Sequence, residues 1–236
     1  MSLSTLMKPL FFKAPGEPTL LLKTRMRMAK YAATRGWIVP LLTERADLSD
    51  KWRHAKNGQN FGYHSYLELD ELSRKLLDQI MQRVGPADSI LDLGCNVGRE
   101  LNALWVQGHR RLTGVEIGLE PVQAMARIFP ELAAGARILN CSMTEGVRQF
   151  GDGEFRLVYA HGSLVSLTAR QQFVFDEIAR ISSRFVITVE NEWSWMLFPR
   201  DFRKVFEDRG FVQVHSEEYT TPGTTKKAAL RVLEKQ

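Results

Sequence analysis

The spacing of hydrophobic residues changes character twice along the chain. Between residues 19 and 36 (TLLLKTRMRMAKYAATRG), Leu22, Met26, Ala29 and Ala33 recur at intervals of four and three, while Lys23, Arg27 and Lys30 share a neighbouring face and Arg25 lies to one side. That spacing predicts a helix that is apolar on one face and basic on another, ending at Gly36. A second helix is predicted over residues 65–83, where Leu69, Leu72, Leu76, Leu77 and Ile80 keep helical intervals. Residues 51–66 between them (KWRHAKNGQNFGYHSY) hold no period. Their aromatic and amide side chains (Trp52, Lys56, Asn57, Phe61, Tyr63, His64 and Tyr66) suit a lid closing over a ligand, or an N-terminal segment packing its rings into the core.

Past the Gly85-Pro86 turn signal the rhythm becomes short apolar or β-branched runs alternating with amphipathic stretches. Strands are expected at Ser89 to Leu93, Leu112 to Glu116, Ala136 to Asn140, Arg156 to Tyr159 and Arg184 to Glu190, with helices between them. Such alternation gives a doubly wound parallel sheet. The close differs: a helix over Asp201 to Arg209, then strands at Phe211 to Tyr219 and Lys226 to Leu233 joined across Thr-Pro-Gly at 221–223. Two strands joined by a turn run antiparallel. The fold class is therefore α/β, a seven-stranded sheet with an antiparallel last strand (residues 85–236) behind an N-terminal helical cap (residues 1–84).

Composition narrows the function. The 236 residues include 25% charged and 44% hydrophobic side chains and two cysteines, which excludes a disordered chain and a disulfide scaffold and points to a reducing, cytoplasmic setting. Charge is uneven: residues 1–60 carry 11 Lys and Arg against 4 Asp and Glu, although the whole chain is only +5. That bias fits a phosphate-rich partner such as nucleic acid or the inner membrane surface, or else a solvated helix face.

The candidate chemistry begins at SILDLGCNVGREL, Ser89 to Leu101: a strand, a glycine turn and a helix start at the carboxyl edge of the sheet, where ligands of open α/β sheets bind. A dinucleotide loop would place Gly at 94, 96 and 99, but here 96 is Asn and 99 is Arg. Asp92 just before the turn further disfavours a diphosphate. A cofactor carrying an ammonium and a sulfonium, with a nucleoside but no phosphate, reverses that preference. Asp92 can then hold the ammonium, directly or through water, Gly94 gives room, and Gly98 lets the helix pack closely. Glu116, ending the next strand 24 residues on, suits a ribose diol. Cys95 reads as a small loop residue rather than a nucleophile.

With LTGVEIG, NCSMTE and FRLVYAHGSLVSL following in order, the chain resembles the class I S-adenosylmethionine-dependent methyltransferases over roughly residues 61 to 233. The resemblance implies a Rossmann-like fold, S-adenosylmethionine as cofactor, and cofactor contacts at Asp92, Gly94, Cys95, Asn96, Gly98, Glu116, Ile117, Ser142, Met143 and Ala160. Ser142 stands where many members carry an Asp, which leaves a hydroxyl or water for the adenine amino group. Ser166 replaces a common His. A weaker resemblance runs to bacterial methyltransferases of surface-saccharide and nonulosonic-sugar pathways, and the motif of amino-methylating DNA enzymes is absent at Ala160-His161-Gly162-Ser163.

Transfer to an alcohol needs a base, and His161 at the end of the fourth strand is the candidate, or else a partner of the cofactor carboxylate or of a neighbouring helix. Tyr63, Tyr66, Glu190, Glu192 and Trp193 fit the acceptor, since ring faces and carboxylates match a sugar's faces and hydroxyls, although the last three also fit a polar loop. Nothing in the spacing of Glu190, Glu192 and His161 demands a metal ion. The expected activity is O-methylation of a saccharide or other small molecule. An RNA or DNA methyltransferase docking through its basic front, and a non-catalytic domain that keeps the cofactor fold, are the alternatives. Peripheral membrane contact through the basic helix face is a further expectation.

Overall fold

The computed structural model describes residues 12–14, 17–40, 42–43, 48–54, 62–193, 198–220 and 227–236. Of the expected lid residues, Lys56, Asn57 and Phe61 lie outside these, as does the turn at 221–223. In chain order the elements are β1 (Phe12–Ala14), β2 (Glu17–Pro18), α1 (Leu20–Thr34), α2 (Ser49–Arg53), a 3-10 turn (Tyr63–Tyr66), α3 (Glu71–Met81), β3 (Ile90–Leu93), α4 (Arg99–Val106) and β4 (Leu112–Glu116). There follow α5 (Leu119–Ile128), α6 (Pro130–Gly135), β5 (Arg137–Asn140), α7 (Met143–Gly146), β6 (Phe155–His161), α8 (Phe173–Ile181), β7 (Ser182–Glu190), α9 (Phe202–Glu207), β8 (Phe211–Thr220) and β9 (Lys227–Lys235).

Seven strands form one sheet in the order β5-β4-β3-β6-β7-β9-β8. The first five run parallel, and β9 enters antiparallel between β7 and β8. Successive side chains of a strand face opposite ways, so Ile90 joins Leu76, Ile80, Leu101 and Leu104 on one face while Leu91 and Leu93 join Phe175, Ile178, Phe202 and Phe206 on the other. β3 is buried along its whole length, as a central parallel strand covered on both faces must be.

Two expectations shift at the front. The helix expected from residue 65 begins at Glu71, because the Asp70 side chain accepts the Ser73 N–H at 2.7 Å and caps it there. Helix α1 buries Leu22, Ala29 and Ala33 as its pattern predicts, together with Ala32. Lys30, however, does not stand outward with Lys23 and Arg27. Its ammonium lies 2.9 Å from Glu192 and 4.4 Å from the centre of the Trp193 ring. Arg231 of β9 reaches both oxygens of the same carboxylate, at 2.6 and 2.9 Å, so Glu192 ties α1 to the end of the sheet.

Candidate active site

A cavity of about 290 Å³ opens at the carboxyl ends of β3, β4 and β6. Its floor is the loop between β3 and α4. Gly94 there has φ +88°, and a Cβ on it would lie 2.5 Å from that of Ser163, whose hydroxyl donates to the Leu93 carbonyl at 2.5 Å. Two loops thus meet at a residue without a side chain. Asn96 takes φ 49°, a left-handed conformation that Asn tolerates, and its side-chain oxygen accepts the Val97 N–H at 2.8 Å. The loop therefore turns without the second glycine of a dinucleotide motif. Gly98, at φ +79°, lies outside the cavity wall; a Cβ there would meet Met125 at 2.8 Å and Leu132 at 3.2 Å, so it lets the helix start pack against α5 and α6. Cys95 lines the cavity, but burial pushes its thiol well above the ordinary range, in keeping with a small inert residue.

Of the four carboxylates that line this cavity, those of Asp92, Glu100 and Glu116 are buried, none more than 8% exposed. Burial, then the nearby Glu100 charge, raises Asp92 well above the usual carboxylate range. Burial also raises Glu116, against the backbone N–H groups of Gly118 (2.6 Å) and Asn96 (2.9 Å) that its two oxygens accept. Each oxygen keeps a further lone pair for a hydroxyl. Clustered, desolvated acids cost free energy that a bound cation offsets and a diphosphate increases. The residues thus fit a cofactor with ammonium, sulfonium and ribose diol, and Ile117, Ser142 and Met143 line the wall beyond Glu116. Ser142 also has local partners. Its hydroxyl donates to Glu145 at 2.6 Å and accepts the Glu145 N–H at 3.3 Å in a capping box, so it serves the start of α7 before any adenine.

His161 closes β6 and lines the cavity with Nδ1 3.1 Å from Glu100 Oε1. The same oxygen accepts the Ser73 hydroxyl and the Arg99 Nε–H, each at 2.8 Å. Burial pushes Glu100 up, yet the His161 hydrogen bond and the Arg99 charge outweigh it and hold the carboxyl at about 2. His161 thus has its helix partner and keeps Nε2 as its second ring nitrogen. Glu100 escapes sequence reading because an acid in the first turn of a helix already has a local explanation in the helix dipole. Its place directly after a glycine loop at a strand edge is the signal that could have found it.

The expected acceptor residues divide. Tyr66 lines the cavity, with the Arg99 guanidinium 5.8 Å from its ring centre. Tyr63 does not; it is buried and stacks on His64 at 4.5 Å. Ala160 is buried beneath the wall. Glu190 and Glu192 turn away from the cavity. Glu190 accepts the backbone N–H groups of Ser163, Leu164 and Val165 at 3.0, 2.9 and 3.2 Å, which fixes the loop after β6. Burial pushes its carboxyl up to about 8 despite those donors. Arg200, wholly buried, donates to the carbonyls of Leu167 and Thr168 at 2.7 and 3.0 Å and holds the far end of that loop. Trp193 stacks on Lys30 outside the cavity. The roof comes instead from Trp52, Ser65, Tyr66 and Asp70.

Residues 91–184 match the family model of a methyltransferase domain. No curated protein sequence matches the chain. Among solved structures it is similar to magnesium protoporphyrin IX methyltransferase of Synechocystis PCC 6803 with bound SAH, at 15% identity and a TM-score of 0.62 over 79% of this chain and 94% of that one. The 1,6-didemethyltoxoflavin-N1-methyltransferase of Burkholderia thailandensis aligns at 16% identity and a TM-score of 0.63, over 87% of this chain and 89% of that one. Geranyl diphosphate C-methyltransferase of Streptomyces coelicolor A3(2) aligns at 11% identity and a TM-score of 0.57, over 90% and 98%. The methyltransferase-domain match spans the first four parallel strands and the start of the fifth, and joined to this fold and to a cavity suited to the cofactor it marks residues 91–184 as an S-adenosylmethionine-dependent methyltransferase domain.

Proposed function

We propose that the protein methylates a hydroxyl oxygen of a small, polar acceptor, a saccharide among them, with His161 as base. The observation that carries this reading is the Glu100–His161 pair on the cavity wall. An alcohol must lose its proton as its oxygen is methylated, and a base held in place speeds that step about 10² to 10⁴ fold. With Nδ1–H directed at Glu100, the Nε2 lone pair is left to take that proton, and the carboxylate stabilises the imidazolium that forms. When bound, S-adenosylmethionine supplies a methyl group on a sulfonium that departs as a neutral thioether.

The acceptor's nature is inferred from the upper wall. Ser65, Asp70 and Ser166 give it hydroxyl and carboxylate groups, and Tyr66 and Trp52 give ring faces, a mixture that suits a hydroxyl-rich ring. The carboxylates of Glu190 and Glu192 lend no support to a saccharide, being spent on backbone and ion pairs. In this reading residues 1–84 act as the cap, contributing the roof through Trp52, Tyr66 and Asp70, and residues 85–236 hold the cofactor.

The test is methyl transfer to a panel of sugars, sugar phosphates, phenols and amines, read as a 14 Da gain and located by NMR. Methylated hydroxyls, with His161→Gln slowed about 10² to 10⁴ fold at unchanged cofactor affinity, support the assignment. Methylation at nitrogen or carbon alone, or a His161→Gln variant that loses cofactor affinity instead of rate, overturns it.

A further inference from the structure

Helix α1 presents an outward face that its basic residues do not account for. Leu20 is 77% exposed, Leu21 56%, Met28 57% and Tyr31 54%, and just beyond the helix Trp37 is 52% and Ile38 45% exposed. At 100° per residue, the four helical side chains fall within one arc of about 100°, opposite the buried Leu22, Ala29 and Ala33, and exposed Lys23 and Arg27 border that arc on one side. Large apolar side chains concentrated in one exposed strip, with aromatic and basic neighbours, mark a contact surface rather than scattered exposure.

We infer that this strip rests on an anionic membrane surface, with the helix lying in the interface plane. Charge favours that occupant: Lys23 and Arg27 flank the apolar side chains as they do in interfacial helices, where Trp and Tyr rings sit at headgroup level and Leu and Met enter the acyl boundary. Size disfavours a second copy of the chain. Fifteen residues make a helix about 22 Å long and about 10 Å wide, so its face offers roughly 220 Å², against the roughly 800 Å² per partner of a stable interface. Nucleic acid would use the cations but gain nothing from Leu20, Leu21 and Met28. Among the described residues no helix is long and apolar enough to cross a membrane, so the contact is peripheral. The end of α1 also approaches the cavity wall. Gln172 donates to the Thr34 carbonyl at the end of α1 at 3.4 Å, and its neighbour Gln171 lines the cavity wall.

Co-sedimentation of the full chain with phosphatidylcholine vesicles, with and without phosphatidylglycerol, tests the inference. Wild type should pellet with the anionic vesicles and release in high salt. Lys23→Gln/Arg27→Gln should lower the partition coefficient by about 25-fold, at about fivefold per cation removed. Leu21→Glu/Met28→Glu should lower it about tenfold or more, while a thermal shift with S-adenosylhomocysteine confirms that both variants are folded. No pelleting of wild type with anionic vesicles overturns the inference. So does pelleting that Leu21→Glu/Met28→Glu leaves unchanged, or a solution dimer that this variant dissociates. A thermal shift missing in wild type would instead count against the cofactor assignment, leaving the vesicle result to stand alone.

Discussion

Replacing Glu100 by Gln isolates one charge in the middle of the site. The amide keeps an oxygen able to accept the Ser73 hydroxyl and the Arg99 Nε–H, so shape and most contacts persist while the charge that faces Arg99 and His161 disappears. The folded carboxyl is held at about 2 against an ordinary 4.5. At about 1.4 kcal/mol per pH unit of that difference, the ionised form contributes about 3 kcal/mol to stability at neutral pH. Because the folded value is depressed, this contribution is complete above pH 4.5 and fades as the pH falls toward 2. Glu100→Gln should therefore unfold about 6 to 12 °C below wild type at pH 7, and the gap should close through the acid range. Thermal melts followed by circular dichroism at a series of pH values between 7 and 2.5 measure it. A gap that stays constant with pH would mean that the amide disturbs packing and that the charge contributes nothing. No gap at pH 7 would refute the reasoning outright.

Two further outcomes concern the cofactor. Glu116→Ala removes an acceptor of two ribose hydroxyls, each bond contributing about 1.5 to 3 kcal/mol, so the affinity for S-adenosylhomocysteine should fall tens-fold or more; an unchanged Kd by calorimetry would remove Glu116 from that role. Asp92 is raised well above its ordinary range by burial and Glu100, so an ammonium docking there should expel a proton and make binding strengthen with rising pH; heats identical in buffers of different ionisation enthalpy would show that none leaves.

The strand positions were legible because central parallel strands are short, largely apolar runs bounded by turn residues; ILDL and LTGVE are both buried throughout. The floor of the site was legible for a related reason. Asp92, Gly94 and Glu116 lie within two or three residues of strand ends, so the sheet alone places them. What sequence could not give was the direction of a side chain whose partner is remote. Lys30 belongs to a basic face by helical periodicity, but Glu192, 162 positions later, turns it inward. Glu190 and Glu192 end a strand at the correct edge for an acceptor site. Their orientation depends on the backbone N–H groups of residues 163–165 and on Arg231 of the last strand. Glu100 was hidden for the opposite reason, having a sufficient local role as a first-turn acid.

The five carboxylates at this edge are therefore sorted by what lies next to them. Glu192 meets Lys30 and Arg231, and Glu100 meets Arg99, so both are matched by cations of the protein itself. Glu190 has three backbone donors and lies outside the cavity. Asp92 and Glu116 line the cavity with no Lys or Arg ion pair among the described residues, and burial raises both. Were the edge merely a structural seam, those two positions would be the cheapest to make apolar, since a desolvated acid without a cation destabilises the fold it sits in. Their presence is explained by a ligand that brings positive charge to one and hydroxyls to the other, and S-adenosylmethionine carries both on one molecule.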